Sequence, residues 1–257
     1  VTLLIVVVLL AGFLRFYKLG SIPAGFFNDE AAVGYNAYSL LKTGKDEFGE
    51  PWPVFFTSFG EGKLPLYVYQ ALPSVALFGL TEFAVRFPGA FFGTGAVLVL
   101  YFFTKETLKW AKVKDKQWLR WAPLLASFFL ATMPWHIHFS RGVFGQESLF
   151  WILLGGWLSL VALRSNSTWH WVGSFASFSA GLLTYHAPKA FVPLWVTVLM
   201  ALVLKQYGWA RAAKVSLTGL LLSGSVWLWM SLSPLGMARA ADMSVFSKHS
   251  GVSAKLW

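Results

Sequence analysis

The chain has 257 residues, of which 56% are hydrophobic and 12% charged, with a formal net charge of +10 and no cysteine. This composition excludes a soluble globular domain, which would lack the polar surface to cover so much apolar side chain, and predicts an integral membrane protein. Cysteine chemistry is excluded as well. The lysines cluster in short loops and form no basic stripe with stacking aromatics, so we expect no nucleic-acid partner.

Apolar runs in chain order predict an all-α bundle of about seven spans, because a helix satisfies its own backbone hydrogen bonds in hydrocarbon. The predicted spans are 1–17, 87–104, 121–139, 148–163, 170–186, 190–204 and 215–233. The stretch 64–80 is also apolar, but it contains Pro65 and Pro73 and is short for a crossing. We expect it to lie in the outer leaflet, as one of the external juxtamembrane helices of the loop 18–86.

The first apolar run opens at residue 1, and the chain stops soon after a polar stretch. We therefore expect residues 1–257 to be the N-terminal part of a longer membrane domain whose C-terminal remainder is missing. A cleaved signal peptide over 1–14 is the alternative, although no small-residue cleavage site follows cleanly.

The distribution of charge predicts which loops share a side of the membrane. Ten Lys or Arg and only two acids occur in the loops 105–120, 164–170 and 205–214. The positive-inside rule places these three loops in the cytoplasm. Nine of the eleven acids then fall in external loops, at 18–86, 140–147, 187–189 and 234–257.

The external loops also carry the polar residues that suggest chemistry. Asp29 and Glu30 are adjacent acids just beyond an apolar helix, where charged groups are costly and need a reason. Arg and Lys nearby would suit a lipid phosphate, and a carboxylate kept apart from them could accept a proton from an attacking hydroxyl. The candidates are Asp29, Glu30, Lys63, Arg86, Arg141, Gln146, Glu147, Tyr185, His186, Lys189, Arg239 and Asp242.

Each candidate also has a structural interpretation. Asn28 or Asp29 could cap the helix that follows, and Glu147 could be the ion-pair partner of Arg141. The cations could extend to lipid head groups. His136 and His138 look like a metal pair, but at this spacing they point to different sides of a helix, which favours interfacial positions. Interfacial anchoring is likewise the alternative for Tyr185, His186 and Lys189.

Four segments occur in an order that resembles a known family: FFNDEAAVGYNAYSLLKTG, GEGKLPLYVYQALPSVALFGLTEFAVRFPGAFFG, MPWHIHFSRGVFGQESL and GLLTYHAPKAFVP. Together they resemble the N-terminal module of the GT-C glycosyltransferases. Within that group they are most similar to the protein O-mannosyltransferases of family 39 and the aminoarabinose transferases of family 83. The resemblance covers nearly the whole chain. It implies a multi-pass enzyme of the cell envelope, in a bacterial plasma membrane, with its active site on the external face.

The resemblance also implies roles for individual residues. Asp29 matches the aspartate regarded as the catalytic base, with Glu30 as its neighbour. The donor phosphate would be bound by Lys63, Arg86, Arg141 and Lys189, and further candidates are Glu147, Tyr185 and His186. Two departures stand out: the family commonly has Lys-Pro-Pro where this chain has Lys63-Leu64-Pro65, and Glu147 follows Gln146 where relatives often have an aspartate.

The predicted reaction is therefore inverting transfer of a sugar from a polyprenyl-phosphate donor to the hydroxyl of a glycan, lipid or protein. A divalent metal ion bridging Asp29 or Glu147 and the phosphate is possible, and no other cofactor is expected. The chain has no Gly-rich nucleotide loop, which argues against a nucleotide-sugar donor. The alternatives are a transporter, or an inactive GT-C relative that only binds the lipid carrier.

Overall fold

The computed structural model describes residues 2–58 and 61–233, and the chain in this range is mostly helical. Arg239 and Asp242 lie outside the described residues. Strands β1, Phe56–Ser58, and β2, Glu61–Lys63, form an antiparallel hairpin between α2 and α3, which the all-α prediction lacked. The helices are α1 Thr2–Phe16, α2 Asn28–Thr43, α3 Leu66–Phe78, α4 Glu82–Trp110, α5 Lys116–Thr132, α6 Pro134–Phe139, α7 Glu147–Ser165, α8 Thr168–Thr184, α9 Pro188–Gly219 and α10 Ser225–Leu232.

The long helix α9 folds back on itself at Gly208, where the backbone leaves helical geometry with φ of 75° and ψ of −179°. The indole Nε1 of Trp227 donates a hydrogen bond to the carbonyl of Lys189 at 2.9 Å. In an uninterrupted helix these two residues would lie about 57 Å apart. The chain therefore reverses at the glycine, which separates the two helices predicted over 190–204 and 215–233.

Three helical stretches of the described chain are long and apolar enough to cross a membrane: Glu82–Trp110, Glu147–Ser165 and the combined run Pro188–Leu232. The count of about seven spans is not supported by this criterion. α1, α5 and α8 have 15, 17 and 17 residues, and helices of that length measure about 22–26 Å against a hydrocarbon core of about 30 Å. The predicted span over 121–139 is interrupted because α5 ends and Pro134 begins α6. α3 is shorter still, with 13 residues.

The three basic loops lie together at one end of the bundle. The Arg164 guanidinium near the end of α7 donates from Nε to the Glu106 carboxylate near the end of α4 at 2.5 Å. Arg211, just beyond the reversal in α9, donates to the carbonyl of Asn166 in the α7–α8 turn at 2.8 Å. We call this the basic end. α4 and α7 therefore run parallel, and both begin at the opposite end, which we call the pocket end.

The start of α2 differs from the predicted cap. The helix begins after Phe27, so neither Asn28 nor Asp29 is the capping residue. The carboxylate of Glu30, at the third helical position, accepts a hydrogen bond from the Phe27 N–H at 3.0 Å. This contact satisfies an N–H group that the helix leaves without a partner. α2 ends at Gly44, whose positive φ of 70° suits a glycine.

Candidate functional site

A cavity of about 180 Å³ lies at the pocket end, between the two largest apolar clusters of the described chain. One cluster joins α2, α3 and the start of α4, and the other joins α7, α8, α9 and α10. The polar side chains that line the cavity are Asp29, Asn36, Ser58, Lys63, Tyr67, Glu147, Thr184, Tyr185 and His186. Nine residues have a role implied by the family resemblance, and five of them line this cavity: Asp29, Lys63, Glu147, Tyr185 and His186.

Asp29 and Lys63 form an ion pair on the wall of the cavity. The Nζ atom of Lys63 lies 3.2 Å from Oδ1 of Asp29, and the two side chains are 25% and 36% exposed. β2 ends at Lys63, so the hairpin directs the lysine toward the first turn of α2. The sequence interpretation kept the carboxylate apart from the cations, and the structure pairs them. A partly exposed pair contributes only about 0–1 kcal/mol to stability, so a ligand can separate it at little cost.

Glu147 is the buried carboxylate of the cavity. It begins α7, is fully enclosed and lines the cavity wall. Neither of its carboxylate oxygens has a hydrogen-bond partner among the described residues. The predicted pairing with Arg141 is not observed, because the guanidinium of Arg141 contacts backbone carbonyls instead. Leaving a buried polar group unpaired costs about 1–3 kcal/mol, and more for a charged group, so Glu147 occupies the cavity wall at a cost to stability.

Tyr185 and His186 reach the cavity from the turn between α8 and α9. The ring of Tyr185 packs against Gly145 so closely that a Cβ atom added to the glycine would lie 2.3 Å from a ring carbon. Gly145 also has a φ of +72°, which disfavours other residues. Gly145 therefore allows the segment that leads to Glu147 to pass the tyrosine.

Glu30 and Arg86 form a buried bidentate pair next to the cavity, and neither side chain lines it. Arg86 donates from Nε and from Nη2 to the two carboxylate oxygens of Glu30, both at 2.9 Å. Its remaining donors contact the Glu82 carboxylate and the carbonyls of Leu19, Pro23 and Gly25. All five N–H groups thus have protein acceptors, which leaves no donor for a lipid phosphate.

Arg15 in α1 and Arg141, just after α6, each donate hydrogen bonds to backbone carbonyls at the end of another helix. Arg141 caps the end of α1 by donating to the carbonyls of Leu14, Arg15, Tyr17 and Ile22. Arg15 in turn donates to the last carbonyls of α5, at Leu130 and Ala131. Burial, with a smaller effect from the positive charge of Arg86, lowers the pKa of Arg141. Both arginines satisfy helix ends and lie outside the cavity lining.

The other predicted candidates lie near the cavity without lining it. Lys189 is the second residue of α9. His136 is only 2% exposed and accepts a hydrogen bond at Nδ1 from Arg15. His138 stacks against Phe144, with ring centroids 5.9 Å apart. Over residues 2–58 and 61–233, no group of three or more His, Cys, Asp or Glu is placed to hold a metal ion.

Several residues in and near the cavity were not among the candidates predicted from the sequence. Asn36, Ser58, Tyr67 and Thr184 line the cavity, and as single neutral polar residues they carry no pattern that marks them. Arg15 was open to detection. An arginine inside an apolar helix is costly, and that cost alone predicts a buried partner.

A scan of family models finds no match for this chain, and a search of curated proteins finds none either. Among solved structures, the fold is similar to the archaeal oligosaccharyltransferase AglB from Archaeoglobus fulgidus, in complex with an inhibitory peptide and a dolichol-phosphate. The TM-score is 0.63 at 17% identity, over 89% of this chain and 29% of that chain.

The chain has a GT-C fold. The coarse architecture expected from the sequence is therefore confirmed. A likeness at 17% identity shows the fold alone and does not distinguish families 39 and 83. This chain spans only 29% of the AglB chain, so the activity of the whole protein is a matter of proposal.

Proposed function

We propose that this chain carries the transfer site of a membrane glycosyltransferase, which moves a sugar from a polyprenyl-phosphate donor to an acceptor hydroxyl. The observation that carries the proposal is one cavity that holds a carboxylate, an amine and a second, buried carboxylate, from Asp29, Lys63 and Glu147. The donor class is supported by the similar fold of AglB, which was solved with dolichol-phosphate. The resemblance to families 39 and 83 implies transfer of a hexosyl or pentosyl group.

In the proposed reaction, Asp29 accepts the proton of the acceptor hydroxyl while that oxygen attacks the anomeric carbon of the donor. The bond between the anomeric carbon and the phosphate oxygen breaks, and polyprenyl phosphate leaves with the electron pair. The configuration inverts because the acceptor attacks from the face opposite the phosphate. Glu147 accepts hydrogen bonds from the bound donor, which supplies the partners that its oxygens lack among the described residues.

Lys63 is the cation that this cavity offers to the departing phosphate. Its pairing with Asp29 at 3.2 Å keeps the amine beside the base until the donor arrives, and the ammonium then stabilises the leaving group as a point charge. Asp29 or Glu147 would hold a divalent metal ion, because carboxylates suit hard cations, and the ion would supply further charge neutralisation.

The proposal is tested by assaying the full-length enzyme in membranes with a panel of polyprenyl-phosphate sugars. We expect Asp29→Asn to reduce transfer by about 10²–10⁴-fold, the usual contribution of a positioned base. Glu50→Gln, an exposed acid of the same loop, is the matched control and should keep full activity. Carrier binding with no transfer by the unaltered protein would favour the inactive relative. Movement of an intact carrier across the membrane would favour the transporter.

We further propose that the pocket end faces the outside and that all seven predicted spans cross the membrane. The chain has no cysteine, so single cysteines report its topology directly. In intact cells an impermeant maleimide should label Ser21→Cys, near the pocket end, and should label Lys114→Cys, at the basic end, only after the membrane is permeabilised. The opposite labelling pattern would overturn the orientation.

A further inference from the structure

A proline in α4 leaves one backbone carbonyl without its helical hydrogen bond, and a residue of α3 donates to that carbonyl instead. Pro88 has no N–H, so the carbonyl of Ala84, four residues earlier, receives no hydrogen bond from its own helix. Ser74 in α3 supplies one instead, with its hydroxyl donating to the Ala84 carbonyl at 2.7 Å. This hydrogen bond therefore joins α3 to α4 at the turn where Pro88 interrupts the backbone hydrogen bonds of α4.

Tyr67 makes a second link, two turns earlier on α3. Its hydroxyl donates to the carbonyl of Val85 at 3.1 Å and accepts from the N–H of Gly89 at 3.3 Å. Val85 and Gly89 are four residues apart, the spacing of helical partners, so the tyrosine oxygen lies between two groups of the α4 ladder. Burial, with a smaller effect from the negative charge of Glu147, raises the pKa of Tyr67 well above its usual value, so the hydroxyl keeps its proton for the Val85 carbonyl.

Three segments of the pocket end meet at the Tyr67 hydroxyl. A Cβ atom added to Gly89 would lie 3.2 Å from this hydroxyl, 3.1 Å from the carbonyl oxygen of Ser140 and 3.0 Å from that of Gly142. The segment that begins there leads into α7 and Glu147. The tyrosine therefore contacts α4 where α4 also approaches the chain that carries the buried carboxylate.

On its other side, Tyr67 is connected to Lys63 by a short and rigid stretch of chain. Only three residues separate the two, and among them Leu64 and Pro65 are buried. Proline restricts its own backbone and that of the residue before it. A displacement of the tyrosine is therefore transmitted to Lys63, and both side chains line the same cavity.

We propose that Tyr67 is a positioning residue of the transfer site: its hydroxyl, held between Val85 and Gly89 of α4, fixes Lys63 opposite Asp29. This inference rests on the proposed function for its catalytic meaning. Its structural content, the placement of Lys63, can be measured separately.

The test compares Tyr67→Phe with Ser74→Ala in the full-length protein in membranes. Both variants remove one hydroxyl that joins α3 to α4, but Ser74 does not line the cavity. Labelling of the Lys63 amine with an amine-reactive reagent, quantified by mass spectrometry, should rise about fivefold in Tyr67→Phe, the equivalent of one lost hydrogen bond. Ser74→Ala should leave the labelling of Lys63 unchanged.

A kinetic double-mutant cycle supplies a second measurement. In Tyr67→Phe, the factor by which the donor KM rises should be about ten times the factor by which kcat falls. The substitution should have no further effect on either constant when Lys63→Gln is already present. Equal Lys63 labelling in Tyr67→Phe and the unaltered protein, a matching change in Ser74→Ala, or additive effects in the cycle would each overturn the inference. If the unaltered protein transfers no sugar but Lys63 labelling still responds, the proposed function fails and the positioning role stands.

Gly89→Ala serves as the second variant if Tyr67→Phe does not accumulate. Its added methyl group would crowd the tyrosine hydroxyl from the α4 side. We expect the same rise in Lys63 labelling, and unchanged labelling in a folded Gly89→Ala protein would count against the inference.

Discussion

Asp29 and Glu30 are adjacent acids, yet the structure places them in opposite environments. The carboxylate of Asp29 lies on the cavity wall and contacts Lys63 at 3.2 Å, at 36% side-chain exposure. Glu30 is buried and accepts two hydrogen bonds of 2.9 Å from Arg86. One pair is open to a ligand, whereas the other fixes the start of α2 against α4. A difference of one position along a helix thus separates a partly exposed carboxylate on the cavity wall from a buried one that joins two helices.

The same division applies to the cations. The arginines expected to bind phosphate, Arg86 and Arg141, donate to carboxylates and carbonyls of the protein, while Lys63 is exposed to the cavity. The planar guanidinium can satisfy several fixed acceptors at once, which suits it to closing helix ends. Lysine offers a flexible point charge. This comparison predicts that the arginine variants affect stability and that the lysine variant affects donor binding.

The largest effect on stability should come from breaking the buried pair. We expect Arg86→Gln to lower the free energy of unfolding by about 3–5 kcal/mol, because the Glu30 charge remains buried without its partner. Thermal unfolding in detergent measures the change. Asp29→Asn is the matched control and should change stability by no more than about 1 kcal/mol, since its pair is partly exposed. Equal stability losses in the two variants would contradict the comparison.

A smaller effect, on donor binding, is expected at Lys63. Replacing the ammonium in Lys63→Gln removes a charged contact of about 1.5–3 kcal/mol, which corresponds to a rise in donor KM of about 10–100-fold. Steady-state kinetics with varied donor concentration measures this change. Arg141→Gln is the contrasting variant and should lower the yield of folded protein without a selective effect on donor KM. A donor KM that responds to Arg141 and ignores Lys63 would reverse the assignment.

Glu147 should show the smallest effect on stability. Glu147→Gln keeps the shape of the side chain and replaces a carboxyl group, which has no hydrogen-bond partner in residues 2–58 and 61–233, with a neutral amide. The amide and the carboxyl group have nearly the same size and both are polar, so we expect stability to change by no more than about 1 kcal/mol while transfer falls at least about tenfold. Unfolding and transfer are measured on the same preparation. A destabilised variant with normal transfer would show that Glu147 is structural.

Much of the fold was predictable because its signals are local. Apolar runs mark the helices. The distribution of charge groups the three basic loops, and the structure places these loops at one end of the bundle. Helix lengths were predicted less well: Pro134 divides one expected span, whereas the reversal at Gly208 keeps two other predicted helices separate. The hairpin over residues 56–63 was missed, because strands of three residues each carry no readable pattern.

Five of the residues predicted for the site lie together in the structure, and the others do not line the same cavity. Asp29, Lys63, Glu147, Tyr185 and His186 line one cavity, as a shared site requires. The sequence contains no signal that distinguishes an arginine whose acceptors are backbone carbonyls from one that awaits a phosphate. For Arg141, those acceptors lie 119 to 127 residues away along the chain.

The sequence by itself determined the membrane class, the main helices, the separation of basic from acidic loops and the residues from which a site could be built. These follow from hydropathy and charge, which act residue by residue. Only the tertiary structure decided that Asp29 is open and Glu30 enclosed, that Lys63 is the cation of the cavity, and that Tyr67 is inserted into α4. The reason is that burial and hydrogen-bond partners depend on contacts between segments that are distant along the chain.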